Sequence, residues 1–461
     1  MRTRERLPQE ELFPFVAMEE LIPENHILRR INRHVDFSFI HELVDPYYSD
    51  TTGRPAIDPE LLLRILTLGY LYNLSENKLF EELKMHAGYR WFCNLGFYDP
   101  VPDRTTFNKI KNHMWIKHGI MEQAIHQIVL QCVNAGLVTG KHLAVDGTQI
   151  RANASIKSLE PIVVEVEVDE YLTQLNIKQR DTQSKAAKSR CDEKDFRDEK
   201  FSNDTHRSTT DPDARLYKKA PGKEASLSYV GNMLIDTKSR VILGTKVTQP
   251  GISTESDAAL SMLDDLTESG LLPESSTIST DKGYGSTEFI VGAFDRGFIP
   301  HTPLLANPEF EPIPSWKTNT YIPERQENRA RKIKEVKIRN LVRELAQTRE
   351  YKHSQQLRKH IEHIFAEGKT CHGLARAKYR GHEKVEFQLR ITAMVQNIKR
   401  LSNAMHKKAK NAMQAVANTP VIQKITGCIQ NIIDIYIHVR IFFQFLSRLL
   451  AIMRYEHQIL T

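Results

Sequence analysis

A change of hydrophobic rhythm at Lys141 limits this chain to a helical part followed by a part built on strands. Upstream, Asp58-Pro59 supplies a cap and a first-turn proline before Leu61, Leu62, Leu63, Ile65, Leu66 and Leu68. That helix is apolar on nearly every side, so it belongs inside a helical cluster. Leu74-Ser75 and Asp103 open two further helices, the second carrying Phe107, Ile110 and Lys111. Downstream, His142 to Asp146 reads as a short apolar strand ending on a carboxylate, followed by Gly147 and a polar strand through Ile150. Strands return at Leu227 to Ile235 and Arg240 to Thr248, around the hairpin-forming Asp236 to Ser239. A helix runs from Leu260 to Leu266, with Ser256 or Asp257 as its cap. Thr277 to Asp281 is another strand ending on an acid, Ser286 to Phe294 a helix, and Gly297 to Pro300 a short strand. This order predicts an α/β chain whose mixed sheet carries helices packed on it.

Of the 461 residues, 40% are apolar and 26% charged, so the chain can bury a core. Five cysteines at 93, 132, 191, 371 and 428, with no close pair, exclude a disulfide scaffold and a thiolate zinc knuckle and suit a reducing compartment. Met1 to Pro14 is charged and unlike a signal peptide. The most apolar stretch, Cys428 to Met453, is interrupted by Asp434, His438, Arg440 and Arg448. It reads as a buried helix or dimer face and not as a membrane span. Lys178 to Arg207 lacks Leu, Ile and Val and is expected to be a flexible insertion or surface arm. Val163 to Asp169 alternates Val with acids, as a half-exposed strand or a charged helix does.

The formal charge of +7 is mild for this length and identifies no nucleic-acid partner by itself. Arg64, Lys78, Lys84, Arg90, Arg104, Lys109 and Lys111 could touch DNA from the helical part or could form a solvated face. The gap from His86 to Asp103 is too long for a tight helix-turn-helix. Arg325 to Arg349 holds nine Lys or Arg against three Glu, including Lys332 and Arg339. Ile333, Val336, Leu341 and Leu345 supply its apolar seam. Such a helix suits a phosphate backbone, and equally an outer face in water.

No Walker loop, GxGxxG, HExxH or nucleophile elbow occurs, so the chemistry available is acid-based. Asp146 and Asp281 end predicted strands and can share a crevice if those strands are neighbours. Two close carboxylates repel, and a divalent cation offsets that cost; oxygen ligands select Mg²⁺ or Mn²⁺. Arg358, Glu362 and Lys369 lie within about 40 degrees on one helix side, so Glu362 could add a third ligand between two phosphate-binding cations. An i,i+4 salt bridge on a wet helix gives the same spacing.

Val145-Asp146-Gly147-Thr148-Gln149-Ile150-Arg151-Ala152-Asn153-Ala154-Ser155 resembles the first catalytic-aspartate strand of bacterial insertion-sequence DDE transposases, most of all the IS1182-like group of the IS4/IS5-type superfamily. Asp281-Lys282-Gly283-Tyr284 is similar to the family's second aspartate motif, and Arg358, Glu362 and Lys369 to its third. Gly53-Arg54-Pro55, Asp103-Arg104-Thr105-Thr106-Phe107, Asp211-Pro212-Asp213-Ala214-Arg215, His372 to Gly381 and Gln396 to Arg400 look like further family segments in the same order. One departure is Gln355, where the family often has tyrosine; Tyr351 lies four residues earlier.

The resemblance implies an RNase H-like catalytic domain over 139–402 with a polar insertion at about 156–225. A helical DNA-end-binding domain would precede it over 1–138, and a helical extension, for core packing or oligomerisation, would follow over 403–461. Asp146, Asp281 and Glu362 would be the catalytic acids, holding two Mg²⁺ ions (Mn²⁺ substituting) about 3.5–4 Å apart. The expected reaction cuts the ends of the element and joins the 3′-hydroxyl to target DNA. Arg358, Lys369, Arg151, Tyr284, Lys332 and Arg339 would contact DNA, and Gln149 and Asn153 lie near enough to touch a distorted nucleotide. His142 reads as packing, not as a metal ligand. Expected partners are double-stranded DNA, as terminal inverted repeats and target, and a second copy of the chain in a dimer; no membrane is involved. The expected location is the cytoplasm, at the nucleoid. A nuclease of this fold without strand transfer, or an inactive DNA-binding derivative, is the competing reading.

Overall fold

The computed structural model describes residues 17–48, 56–162, 201–218, 224–270, 276–304, 309–315 and 323–417, with Gly222 and Thr419. The expectations for Val163 to Asp169, Lys178 to Lys200 and Cys428 to Met453 lie outside the described residues. The chain divides into two compact units, Met1–Ser402 and Asn403–Thr461. In the second, the described backbone is helical as far as Ala417.

Among the described residues, eight α-helices precede the sheet. They are α1 (Met18–Leu21), α2 (Ile27–His34), α3 (Ile40–Val44), α4 (Pro59–Leu71), α5 (Glu76–Met85), α6 (Ala87–Phe92), α7 (Arg104–Ile110) and α8 (Ile120–Asn134). Capping residues set their starts: Asp58 accepts the Glu60 N–H at 2.9 Å, Ser75 that of Lys78 at 3.3 Å, and Asp103 that of Thr105 at 2.8 Å. As its composition requires, α4 is buried continuously from Leu62 to Leu71.

Burial corrects the expected basic face. Arg64 lies inside, bonded to Glu60 (2.8 Å), Asn32 (2.8 Å) and the Phe92 carbonyl (2.9 Å). Arg90 holds the Gly96 and Asp99 carbonyls, and Lys111 pairs with Glu76. These cations are internal because each has its polar partners, the condition for burying charge. Lys78, Lys84, Arg104 and Lys109 remain exposed.

The main sheet follows the order expected from the chain. Strand β1 (His142–Arg151) pairs antiparallel with β5 (Ser226–Asp236), which pairs antiparallel with β6 (Ile242–Thr248). On its other side β1 runs parallel to β7 (Thr277–Ser279), and β7 parallel to β8 (Ile299–His301). Helices α9 (Glu255–Glu268) and α10 (Thr287–Asp295) make the crossovers. The mixed α/β, RNase H-like architecture is therefore present. Period-2 alternation shows in β1, where Ala144 and Ile150 join one core cluster, and Leu143 and Val145 the other. Helices α11 (Pro323–Gln347), α12 (Arg349–Arg358), α13 (His360–Cys371) and α14 (His382–Ala417) follow. The first cluster takes Ile361, Ile364 and Leu389 from α13 and α14, whereas the second takes Met262, Leu263, Phe289 and Ile290 from α9 and α10.

Three features differ from expectation. The flexible arm expected over Lys178 to Arg207 includes His206 and Arg207, which instead belong to β3 (His206–Ser208), paired with β2 (Leu159–Pro161); β4 (Arg215–Tyr217) then joins β5. Thr254 caps α9 through a capping box with Asp257, one turn earlier than the apolar pattern begins. On α11 the inward residues are Val336, Val342 and Arg343, while Leu341 is 42% exposed.

Two polar devices close this architecture. Asn397 of α14 bonds both backbone groups of Ile242, at 2.8 and 2.7 Å, satisfying the outer strand β6. Asp211, fully buried, accepts from the Tyr229 hydroxyl at 2.7 Å and the Gly381 N–H at 3.1 Å. Tyr229→Phe leaves that carboxylate short of a donor, and we expect about 2 kcal/mol of lost stability, readable by urea unfolding.

Candidate active site

Asp146 sits in the middle of the ten-residue strand β1, not at a strand end. It nevertheless lies at an open edge, because β7 pairs only with His142 to Ala144 and that side of β1 is next bridged at Arg151. Its Oδ1 accepts the Gly147 N–H at 2.8 Å. Asp281 follows β7 by two residues and caps a tight turn, Lys282–Tyr284, by accepting the Gly283 N–H at 2.7 Å. The parallel pairing of β1 and β7 is what brings the two aspartates to the same edge.

Glu362 comes from the other side of the chain. Arg358 and Glu362 do not share one continuous helix: α12 ends at Arg358 and α13 begins at His360, with Lys359 between. Gln355 explains the break. Its amide donates to the Thr280 carbonyl at 3.3 Å and to the His301 carbonyl, tying α12 to the ends of β7 and β8. Ile361 and Ile364 of α13 instead pack on the β1 face. Glu362 is exposed in the first turn of α13, and Lys369 follows two turns later.

The electrostatics join these residues. Burial raises the Asp146 carboxyl to about 6 against the pull of the Gly147 N–H, and Asp281 and Glu362 push it the same way. The Arg358 guanidinium, 3.3 Å from Asp146, opposes them. Arg358 therefore faces the first acid, where a phosphate contact was expected.

Glu255, the first residue of α9, is a further acid at this edge that the strand-end reasoning missed. Burial and the charges of Asp146 and Asp281 raise its pKa. A Cβ at Gly147 would collide with its carboxylate, so glycine there lets α9 approach β1. Tyr284 is 2% exposed and donates its hydroxyl to Glu255 at 3.3 Å. That burial replaces the expected DNA contact of Tyr284 with a positioning one. The acid-rich start of α9, Thr254-Glu255-Ser256-Asp257, was the available sequence signal, and it reads equally well as a cap.

The other site candidates are dispersed. Gln149 donates to Ser226 (3.0 Å) and Ser228 (2.9 Å), and His142 contacts Thr277 at 2.7 Å, so both are structural polar contacts. Arg151 is exposed at the end of β1, with its backbone bridged to Ala375 and Ala377. Asn153 accepts from Arg376 and Arg380. Lys332 is exposed on α11. Arg339 is bound to Glu311 at 3.1 and 2.7 Å, and Arg343 to the same carboxylate at 2.6 Å; together they hold Glu311 down at about 2. Arg339 is thus committed to a protein anion.

Residues 140–398, more than half of the chain, match the family model described as Transposase DDE domain, and residues 16–113 match one described as Transposase domain (DUF772). The chain belongs to the DDE transposase family. Among solved structures it is similar to a piggyBac transposase synaptic complex with hairpin DNA, at 8% identity and a TM-score of 0.35, over 83% of this chain and 75% of that one.

Transposases of this family generally use divalent metals. In this transposase the oxygen-only donors Asp146, Asp281 and Glu362 fit a hard divalent cation by chemistry; burial chiefly raises the Asp146 carboxyl, and the charges of Asp281 and Glu362, which a cation would offset, add to it. The cage is not closed: among the described residues no three acids, histidines or cysteines stand close enough to grip one ion. Among the described residues, no helix is long and apolar enough to cross a membrane.

Proposed function

We propose that this transposase cuts DNA at the ends of its element and joins the freed 3′-hydroxyl to target DNA, with Asp146, Asp281 and Glu362 as catalytic acids around Mg²⁺. The observation that carries the reading is the parallel pairing of β1 with β7, which sets Asp146 and Asp281 at one edge, with Glu362 near enough to act on Asp146. When bound, divalent cations would lower the pKa of an attacking water and stabilise the leaving oxygen. The chain's own contribution is to hold the oxygens. Asp146 is fixed by the Gly147 N–H, Asp281 by the Gly283 N–H, and Glu255 takes the Tyr284 hydroxyl. Arg358 neutralises Asp146 while the edge is empty of substrate and is then free to turn to a phosphate oxygen.

We assign residues 1–138 to recognition of the element's ends, 139–402 to catalysis and 403–461 to core packing or oligomerisation. Exposed cations, Lys332 on α11 and Arg151 at the end of β1, would add salt-dependent affinity for the backbone. Accordingly, Lys332→Ala should reduce the slope of log affinity against log salt by about 1. Arg339→Ala should leave that slope unchanged and lower the melting temperature instead, because Arg339 serves Glu311. Strand transfer separates this reading from a plain nuclease. A duplex end already cut to a 3′-hydroxyl should be joined to a plasmid by the native protein; cutting of intact ends without any joining would reduce the activity to hydrolysis.

A further inference from the structure

Away from the acids, the stretch from Arg104 to His118 holds the cations Arg104, Lys109, Lys111 and Lys117 and no Asp or Glu. It forms one rod, α7 continued directly by a π-helix over Lys111–Ile116. The inner side of the rod is fixed. Phe107, Lys111 and Trp115 are buried, and Phe107 meets Phe80 of α5 edge-on. Lys111 pairs with Glu76, and the Asn108 side chain bonds the same carboxylate.

The outer side is different. Thr105, Lys109, His113 and Lys117 recur every fourth residue and are all exposed, with Arg104 exposed at the start. The wider π turn, a rare form that is frequent at functional sites, keeps residues four apart nearly in line. Among the described residues, Arg104, Lys109 and Lys117 form no ion pair. Asp103, the acid next to the rod in sequence, caps it by accepting the Thr105 and Thr106 N–H groups. The exposed residues of the rod are all polar, so an apolar partner would gain nothing there. A row of donors without an acid suits a polyanion. Length narrows the choice. From Arg104 to Lys117 the rod spans about 20 Å, whereas the DNA major groove, which admits a helix, is about 12 Å wide. Cations at the two ends therefore reach the phosphates of both walls while the middle of the row faces the bases.

We propose that this row enters the major groove of duplex DNA, with Lys109 and His113 at base edges and Arg104 and Lys117 on the flanking phosphates. The inference rests on the assignment of residues 1–138 to the element's ends and names the side chains that read them. Lysine donates to the O6 and N7 acceptors that guanine presents in that groove, so the sequence read includes a guanine at Lys109.

The test uses the full chain in EDTA, which prevents cutting. Two duplexes serve as probes: one carrying the element's end, and one of equal length and base composition in scrambled order. The native chain should prefer the first at least tenfold, about 1.4 kcal/mol. Lys109→Ala and His113→Ala should each cut that preference severalfold. Arg104→Gln and Lys117→Gln should weaken both duplexes alike, keep the preference, and each lower the slope of log affinity against log salt by about 1. Methylation of guanine N7 should interfere with native binding at one position and cease to matter there for Lys109→Ala. All four side chains are exposed, so the variants should melt with the native protein. A native preference that survives both Lys109→Ala and His113→Ala, or is indifferent to N7 methylation, would overturn the inference and leave end recognition to another part of residues 1–138. Equal native affinity for the two duplexes would overturn it together with that assignment.

Discussion

Asp146→Asn should reduce DNA cleavage at least a hundredfold, about 2.7 kcal/mol in barrier, while duplex binding stays within a few-fold of native. The substitution keeps shape and the Gly147 contact and removes the charge that the neighbouring acids act upon. Asp281→Asn should behave alike. Single-turnover cutting of a labelled element end, beside filter binding of the same duplex, separates the two effects. Cleavage within threefold of native by either variant would remove that aspartate from the cation site.

Glu367→Ala should cause the largest loss of stability, about 3 kcal/mol, and lower the melting temperature by several degrees. Glu367, on α13, answers Arg400 at 3.0 Å, Lys399, and the fully buried His372 at 3.7 Å. Burial raises the Glu367 carboxyl, but these three donors outweigh it and hold the group at about 2, against an ordinary 4.5. A folded value below the unfolded one means the stabilisation is present above about pH 4.5 and is lost as pH falls toward about 2. Removing the carboxylate takes the anion from Arg400, whose side chain is 16% exposed and lies near the buried Cys132. Melting curves of native and variant should therefore differ widely at pH 7 and by less at pH 3, where part of the contribution of the carboxylate is already lost. An equal difference at the two pH values would show that the loss comes from packing and not from charge.

Much of this architecture was legible in local patterns. Caps at Asp58, Ser75 and Asp103 marked the helix starts, and short strand-like runs beside turn residues placed β1, β5 and β6, because these signals depend on neighbouring residues. What failed depends on distant partners. Asp146 lies within β1 because β5 pairs with that strand as far as Arg151, and its edge is open because β7 is short; nothing near Asp146 encodes either. Arg64, Arg90 and Lys111 look like a surface in sequence and are internal because Phe92, Gly96 and Glu76 supply their bonds. The break at Lys359 carries no glycine or proline; it arises because Gln355 and Ile361 are drawn to different parts of the sheet. On α11 a small error of helical phase exchanges Leu341 for Val342. Glu255 meets Gly147 and Tyr284 only through folding, so its nearness to Asp146 was invisible in the chain.

Glu362 bears most on the proposed chemistry, since it is exposed and comes from a helix separate from that of Arg358. The most direct measurement is Mg²⁺-dependent cleavage of a duplex carrying the element's end by the native chain and by Glu362→Gln, with DNA binding recorded for both. Cutting by the native protein and none by the variant, at equal binding, is the predicted result. Equal cutting by the two proteins would contradict the assignment of Glu362 as the third acid.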